Sequence, residues 1–517
     1  MDEKKIAVIL WIKDEECAKN QRMYLGALNI PEGYIVDIVE IRHAECRTAA
    51  YEEGRRKSDA KYKVYLDEDA VIVDDNFLQR MLQVFASDAS IGLIGIVGTE
   101  KIPTSGVCKW ARKRVGKVID FSGKAFAHGD ISEKYREVLA VDGFLMVTQY
   151  DVPWRTDLFQ TDVFWDTAQS IEYKKAGYKA VVLQQEDYSC IYNWDQKTLY
   201  DVESQQKFLD EYSSDIYPLV SVVITTHNRP VFFKEALESV LNQAYRNLEI
   251  FITDDSDNTE TKELMENYLE KDNRIIYEYH PGFDVHDNWT CAENYNNPKA
   301  VYLNWIMDDD KMLPNKIAEM VDCYEQNDGI ALVTSYRELI DEGGNVIENP
   351  EWKPFFAETT RAYGDSIGKQ LLFTSVNFIG ELTTVLLKKE YLKNGKLGFS
   401  GKEGNYIISD YSTWLGCLQH GDLYYIAEPL SQFRMHPGQD QRNPETMLSC
   451  VMGIGIEIKY AWEQKIYLKT SENLERAMFG WLRLMADTIR RVREFEDYNS
   501  DMIDELKKFA GELLMLR

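Results

Sequence analysis

No two of the eight cysteines (Cys17, Cys46, Cys108, Cys190, Cys291, Cys323, Cys417, Cys450) stand in a Cys-x-x-Cys spacing. That excludes a zinc framework readable from spacing and a dense disulfide scaffold, and fits a reduced, cytoplasmic location. Long apolar runs are missing too. None approaches the ~18–20 residues that a membrane span requires. The opening MDEKKIAVILWIKDEE has an apolar run too short for a secretory leader, followed by acids, so no signal peptide is expected. Positive charge is in deficit. Lys and Arg total 59 against 86 Asp and Glu, a net charge of −27. Nucleic acid is therefore not an expected partner, because phosphate binding is driven by cationic side chains that release counterions.

What is present is globular. The chain has 517 residues, 44% of them hydrophobic and 12% aromatic, which excludes wholesale disorder and predicts two to four domains. The segments IAVILWI, YIVDIVEI, KYKVYLDED and IGLIGIVG read as buried strands alternating with polar, helix-length stretches. The polar stretch QQKFLDEYSSDIYP then breaks the pattern, and LVSVVITT, LEIFITDD and AVYLNWIMDDD restart it. The expectation is an α/β chain with two related domains, 1–212 and 213–442, each a mostly parallel, Rossmann-like sheet covered on both faces. From 443 to 517 strand character fades. Leu474, Met478, Trp481, Leu482, Met485, Ile489 and Val492 recur at helical steps, and Asn499 to Asp501 offer a cap for a last helix. Two readings of this helical segment stand side by side: a cover for the second domain, or a docking face for a partner or membrane surface, hence peripheral membrane association.

Asp308-Asp309-Asp310 follows the strand AVYLNWIM directly. Carboxylates ~4 Å apart repel by about 1 kcal/mol in water and about 4 kcal/mol near a protein surface. A cation removes that cost, and hard oxygen ligands suit Mg²⁺ or Mn²⁺, which in turn hold diphosphates. A solvated acidic turn is the alternative for these residues alone.

The run LVSVVITTHNRPVFFKEALESVLNQAYRNLEIFITDDSDN resembles the opening of glycosyltransferase family 2 enzymes of GT-A fold, and the likeness extends over residues 218–440. The resemblance implies that Thr225 and His227 lie near the nucleotide base. It makes Asp254 and Asp255 the nucleotide-binding Asp-Asp pair, whose second member, Asp255, meets the uracil, a sensible match because a carboxylate accepts its imide N–H. It sets Asp308 beside the ribose and diphosphate and makes Asp309 the metal ligand, with Asp310 a third carboxylate counted with the metal. In IISDYSTWLGCLQHGDLYYIAEPLSQFRMH it makes Asp410 the catalytic base and His436 a metal or diphosphate contact, with Trp414 and Arg434 facing sugar or acceptor. Ser409 stands where the family usually has an acid. Glu381, in NFIGELTTVLLKKEY, is a further candidate for sugar or acceptor hydroxyls, and an ordinary surface acid is the alternative. GFDVHDNWTCAENYNNPK is either part of the sugar-facing wall or a plain loop and helix.

Residues 1–195 resemble a second bacterial glycosyltransferase-like family, also expected to be GT-A. The match is carried by DAKYKVYLDEDAVIV, IGLIGIVG, SGVCKW and VDGFLMVTQYDVPWR. Asp67 and Asp69 then form an Asp-x-Asp metal and nucleotide motif, joined by Asp166. The family's Trp-His-Phe-Tyr-Asp appears here as Asp162-Val163-Phe164-Trp165-Asp166, and its final His-Asp as Tyr192-Asn193. Losing both histidines leaves open an active second transferase or a domain kept for acceptor binding. The basic cluster Lys109, Arg112, Lys113, Arg114 and Lys117 reads either as an anion site (diphosphate, anionic glycan or lipid) or as a solvated face.

Together these imply a metal-dependent, inverting transferase of GT-A type in tandem arrangement. It would use Mn²⁺ or Mg²⁺ to move sugar from a nucleotide sugar, a UDP-sugar, to a hydroxyl of a glycan or glycoprotein, in polysaccharide synthesis or protein glycosylation. Two alternatives are kept: a non-catalytic first domain, or a carbohydrate-binding scaffold. Nucleotide-sugar pyrophosphorylases are disfavoured, since no Gly-rich basic loop follows either first strand.

Overall fold

Strands Asp2–Trp11 and Leu219–Thr226 are buried on both faces, from Ile6 to Leu10 and from Val220 to Ile224. Burial on both faces is why their sequences are continuous in Ile, Val and Leu rather than alternating with polar residues. The computed structural model describes residues 1–193, 201–392, 396–400, 406–439, 443–495 and 498–516. The chain divides into two units, Met1–Tyr217 and Pro218–Arg517.

In the first unit the strands run Ile35–Ile41, Asp2–Trp11, Ala60–Leu66, Leu145–Thr148, Ile91–Gly95, Lys179–Leu183 and Tyr135–Val138 across one sheet. In the second, Ile275–Tyr279, Leu248–Asp254, Leu219–Thr226, Ala300–Met307, Val385–Lys388, Ile330–Ile340, Asp422–Arg434 and Lys311–Met312 follow one another, with Thr360–Ala362 paired to Asp422–Arg434. Both units share one device. The strand that delivers the Asp-rich turn (Ala60–Leu66 or Ala300–Met307) is followed in the sheet by a short antiparallel strand. Both are α/β units of GT-A type, and the Asp motifs leave the sheets at corresponding edges.

The stretch QQKFLDEYSSDIYP, read as a break, lies within helix Val202–Ile216 and the residues that end it. Asp201 caps this helix, and Phe208, Leu209 and Tyr212 give it an apolar face, with Phe208 stacked on Phe164 at 5.1 Å. The expected boundary at 442 falls outside the described residues.

Helices Pro444–Glu463, Ser471–Val492 and Ser500–Leu514 pack their apolar stripes into the second unit's own core. Leu474, Met478, Trp481 and Val492 are buried in the same cluster as Trp305 and Leu332, and Asn499 caps the last helix. The stripe is therefore spent on core. Among the described residues no helix is long and apolar enough to cross a membrane.

Candidate active site

Parallel strands release their C-terminal residues at one edge, and there the second unit gathers its carboxylates. Thr225 and Thr226 end the first strand, in register with Thr253 and Asp254. The Thr226 hydroxyl donates to Asp308 Oδ2 at 2.9 Å. Asp255 is buried, accepts from Asn288 Nδ2 at 2.8 Å, and has His227 Nδ1 3.3 Å from its Oδ1. Burial pushes the Asp255 carboxyl up, while the His227 ring opposes that rise. Asp254 points elsewhere. It is fully buried and accepts from Tyr277 Oη at 2.6 Å and from the Ser256 amide at 2.9 Å, so its carboxylate serves the fold.

The three aspartates have different surroundings. Asp308 is buried, and desolvation, then the neighbouring Asp309 charge, pushes its carboxyl up to about 6. Arg229 Nη1 lies 3.3 Å from Asp308 Oδ1 and 3.5 Å from Asp309 Oδ2. Asp309 Oδ2 meets His436 Nε2 at 2.9 Å. Asp310 accepts from Thr383 Oγ1 at 2.7 Å and from the Arg434 amide at 3.1 Å. With both oxygens engaged, Asp310 is poorly placed to bind an ion, and burial followed by the Asp309 charge raises its carboxyl well above the ordinary value. One carboxylate and one imidazole, Asp309 and His436, converge as candidate metal ligands; this donor set suits Mn²⁺ better than the all-oxygen preference of Mg²⁺.

Two residues expected at the sugar lie in the interior. Arg434 is 0% exposed and donates to the carbonyls of Asp309 (2.7 Å), Asp341 (3.1 Å) and Glu342 (2.9 Å) and to Glu235 (2.7 Å), with Phe232 beneath it. It organises the Asp309 turn rather than facing a ligand. Trp414 is also 0% exposed, and its indole N–H donates to the Gly380 carbonyl at 3.1 Å. Both corrections have one cause: a large side chain one turn or one strand away from a site residue packs inward.

Residues 377–384 tie the cluster together. Asn377 Nδ2 donates to Asp410 Oδ2 at 2.7 Å and to the Gly380 carbonyl at 2.9 Å, while Thr383 holds Asp310. Gly380 sits at φ 121°, where an added Cβ would come within 2.4 Å of Thr384 Oγ1. Glu381 pairs with Arg337 (Nη2–Oε1 2.7 Å, Nε–Oε2 2.5 Å). Asp410 is partly buried at the start of helix Ser409–Cys417. Desolvation pushes its carboxyl up to about 7, the Glu381 charge adds to the rise, and the Tyr411 amide and Asn377 oppose it. The residues not anticipated are Arg229, Asn288, Arg337, Asn377 and Thr383. Two had a local signal: Arg229, a cation two residues past His227 at a strand-to-helix turn, and Asn288, which lies in the segment GFDVHDNWTCAENYNNPK.

The first unit has a cleft of about 310 Å³ lined by Asp67, Asp69, Asp142, Asp166, Arg47 and Tyr192, among others. Asp67 is buried against the Arg47 guanidinium, which also reaches Asp162 at 3.2 Å and lies over Trp165. Asp166 caps the Gly143 amide at 2.9 Å, and burial, then the Asp142 charge, raises its carboxyl. Tyr192, standing at an expected histidine position, stacks on Phe144 at 4.7 Å. The basic cluster does not form one face, because Arg114 is buried on Asp142 and the Cys108 carbonyl.

Residues 7–212 match the family described as Glycosyltransferase like family, and residues 221–378 match Glycosyl transferase family 2. Asp410 and His436 lie beyond that second match, so their place in the site rests on geometry. An uncharacterised glycosyltransferase of Methanocaldococcus jannaschii is 33% identical over 233 residues, 43% of this chain and 72% of its own. One from Rickettsia typhi is 28% identical over 228 residues, 43% of this chain and 65% of its own. The GalNAc(5)-diNAcBac-PP-undecaprenol beta-1,3-glucosyltransferase of Campylobacter jejuni is 26% identical over 196 residues, 38% of this chain and 60% of its own. The chain thus spans just under two thirds of the length of the first of these curated relatives to be matched. The crystal structure of S. aureus TarS aligns at a TM-score of 0.37 and 14% identity, over 57% of this chain and 53% of that one.

Proposed function

The chain belongs to the glycosyltransferases, a family 2 module following a glycosyltransferase-like one, and from that premise we propose that the second unit transfers sugar from a UDP-sugar to an acceptor hydroxyl with inversion. The observation that carries this reading is Asp410. A carboxyl pushed up to about 7, bound by Asn377 to the loop that also holds Asp310, is matched to general-base work near neutrality.

Asp410 takes the proton of the acceptor hydroxyl as its oxygen attacks the anomeric carbon, and the bond from that carbon to the diphosphate breaks. Asp309 and His436 would hold the divalent ion, Mn²⁺ by their chemistry. When bound, such an ion neutralises charge on the departing diphosphate. Arg229 contributes positive charge at the same place through the chain itself. Asp255 has one oxygen on Asn288 and offers the other to the uracil imide N–H, beside His227 and the strand end at Thr225. Asp308 faces the ribose side, and the Glu381–Arg337 pair lies close enough to Asp410 to orient sugar or acceptor hydroxyls. The acceptor is a glycan or glycoprotein.

For the first unit, one observation favours binding over turnover: Asp67, the leading acid of its Asp-x-Asp motif, is already neutralised by buried Arg47. The decisive experiment measures UDP-sugar hydrolysis with Mn²⁺ across a donor panel. Asp309→Ala and Asp410→Asn should abolish turnover, the latter with UDP binding retained, while Asp69→Ala leaves it intact. Unchanged turnover in both of the first two variants sinks the assignment.

A further inference from the structure

Glu278, His280 and Cys291 bring three ligand atoms together in the second unit, all within 4.8 Å of one another. Glu278 lies on strand Ile275–Tyr279, in register with Thr253, and His280 follows the strand's end. Cys291 comes from helix Val285–Asn294, which Asp284 caps through the His286 and Asp287 amides. The Sγ of Cys291 is 3.6 Å from His280 Nε2 and 3.5 Å from Glu278 Oε2, and the nitrogen and oxygen are 3.1 Å apart.

These three edges can be compared with those of a metal tetrahedron. Bonds of ~2.3 Å to sulfur, ~2.0–2.1 Å to nitrogen and ~2.0–2.2 Å to oxygen at tetrahedral angles separate sulfur from either other ligand by about 3.5 Å, and nitrogen from oxygen by about 3.3 Å. The observed triangle is within a few tenths of an ångström of that without rearrangement. The histidine is also held in place: its ring stacks on Phe283 at 4.5 Å and 7°, and its amide donates to the Asp254 carbonyl at 2.8 Å. Thiolate, imidazole and carboxylate together select borderline-soft ions such as zinc over magnesium or calcium.

We propose that Glu278, His280 and Cys291 form a second divalent-metal site of zinc class, separate from Asp309 and His436, with its fourth position left to water. Binding releases the Cys291 thiol proton to solvent and joins sulfur to the ion. The ion would clip the end of strand Ile275–Tyr279 to helix Val285–Asn294. The first of these elements leads into His280, which binds the Asp254 carbonyl; the second carries Asn288, which binds Asp255. Occupancy therefore stiffens the wall that holds the Asp254–Asp255 pair.

The test uses the full chain carrying Asp309→Ala and His436→Ala, so that the other candidate pair cannot take up metal. Under reducing conditions it is titrated with Co²⁺. One equivalent should bind with a thiolate-to-cobalt charge-transfer band and the strong visible absorption of a tetrahedral ion, and Zn²⁺ should displace it. Adding Cys291→Ser should abolish the charge-transfer band. His280→Ala, and Glu278→Gln at its exposed position, should each weaken Co²⁺ binding at least about tenfold with the far-ultraviolet circular dichroism unchanged. Absence of the band in the parent overturns the proposal, as does a band retained at full strength with Cys291→Ser. Unchanged affinity in both of the other variants, which do not touch the sulfur, overturns it too.

Discussion

Asp410→Asn separates catalysis from stability in opposite directions. In the folded chain the Asp410 carboxyl rises from its ordinary 3.8 to about 7, because desolvation and the Glu381 charge penalise the ionised form. At 1.36 kcal/mol per pH unit, that difference corresponds to at most about 4 kcal/mol, discounted because the group is only partly buried. The sign follows from proton binding. Between pH 4 and 7 the folded chain holds this proton more tightly than the unfolded chain does, so its contribution to stability falls as pH rises and is fully lost above 7. Asparagine carries no such penalty. At pH 8 the variant should therefore unfold at higher denaturant concentration than the parent, by roughly 1–3 kcal/mol, with the gain vanishing near pH 4. Activity should move the other way. The parent's turnover should climb about tenfold per pH unit below 7 and level off above it, while the variant loses on the order of 10²–10⁴ on the plateau above 7, a deficit that narrows as acid protonates the parent's base. Urea melts at pH 4, 6 and 8 beside a pH–rate profile provide the assay. An acidic limb centred near 4, or an Asn variant less stable than the parent at pH 8, would refute the reasoning.

Four further outcomes follow from particular contacts. Asn377→Ala removes a hydrogen bond that favours ionised Asp410, so the acidic limb of the rate profile should move up by about one pH unit. Arg229→Ala removes the cation between Asp308 and Asp309, and calorimetry should record a 10- to 100-fold weaker, roughly, UDP-sugar affinity. Arg434→Ala leaves Glu235 and three carbonyls without their buried donor, and should cost about 3–5 kcal/mol in chemical unfolding. Gly480→Ala sets a Cβ 2.0 Å from the Phe373 carbonyl oxygen, so it should lose about 1–3 kcal/mol although alanine is the better helix former. A neutral Gly480 variant, scored by its thermal midpoint, would show that the C-terminal helices do not pack as described.

Much of this was legible locally. Strand apolarity, the Asp residues at the strand ends and the stripe from Leu474 to Val492 are properties of short windows, and the structure keeps each in its place. The carboxylates, however, looked alike in sequence and are not alike in space. Asp254 is consumed by Tyr277, Asp310 by Thr383 and the Arg434 amide, and Asp67 by Arg47, whereas Asp309 and Asp410 retain roles a ligand can use.

By itself the sequence determined the α/β alternation, the tandem arrangement and the edge where acids collect, because backbone periodicity and burial are set by near neighbours. Tertiary structure alone decided that Trp414 and Arg434 turn inward, that residues 377–384 join Asp410 to Asp310, and that Glu278, His280 and Cys291 meet. The scattered cysteines excluded a metal framework readable from spacing, yet a strand end and a helix bring one of them beside a histidine and a glutamate. Such juxtapositions depend on which elements the core packs together, and no window of neighbouring residues encodes that.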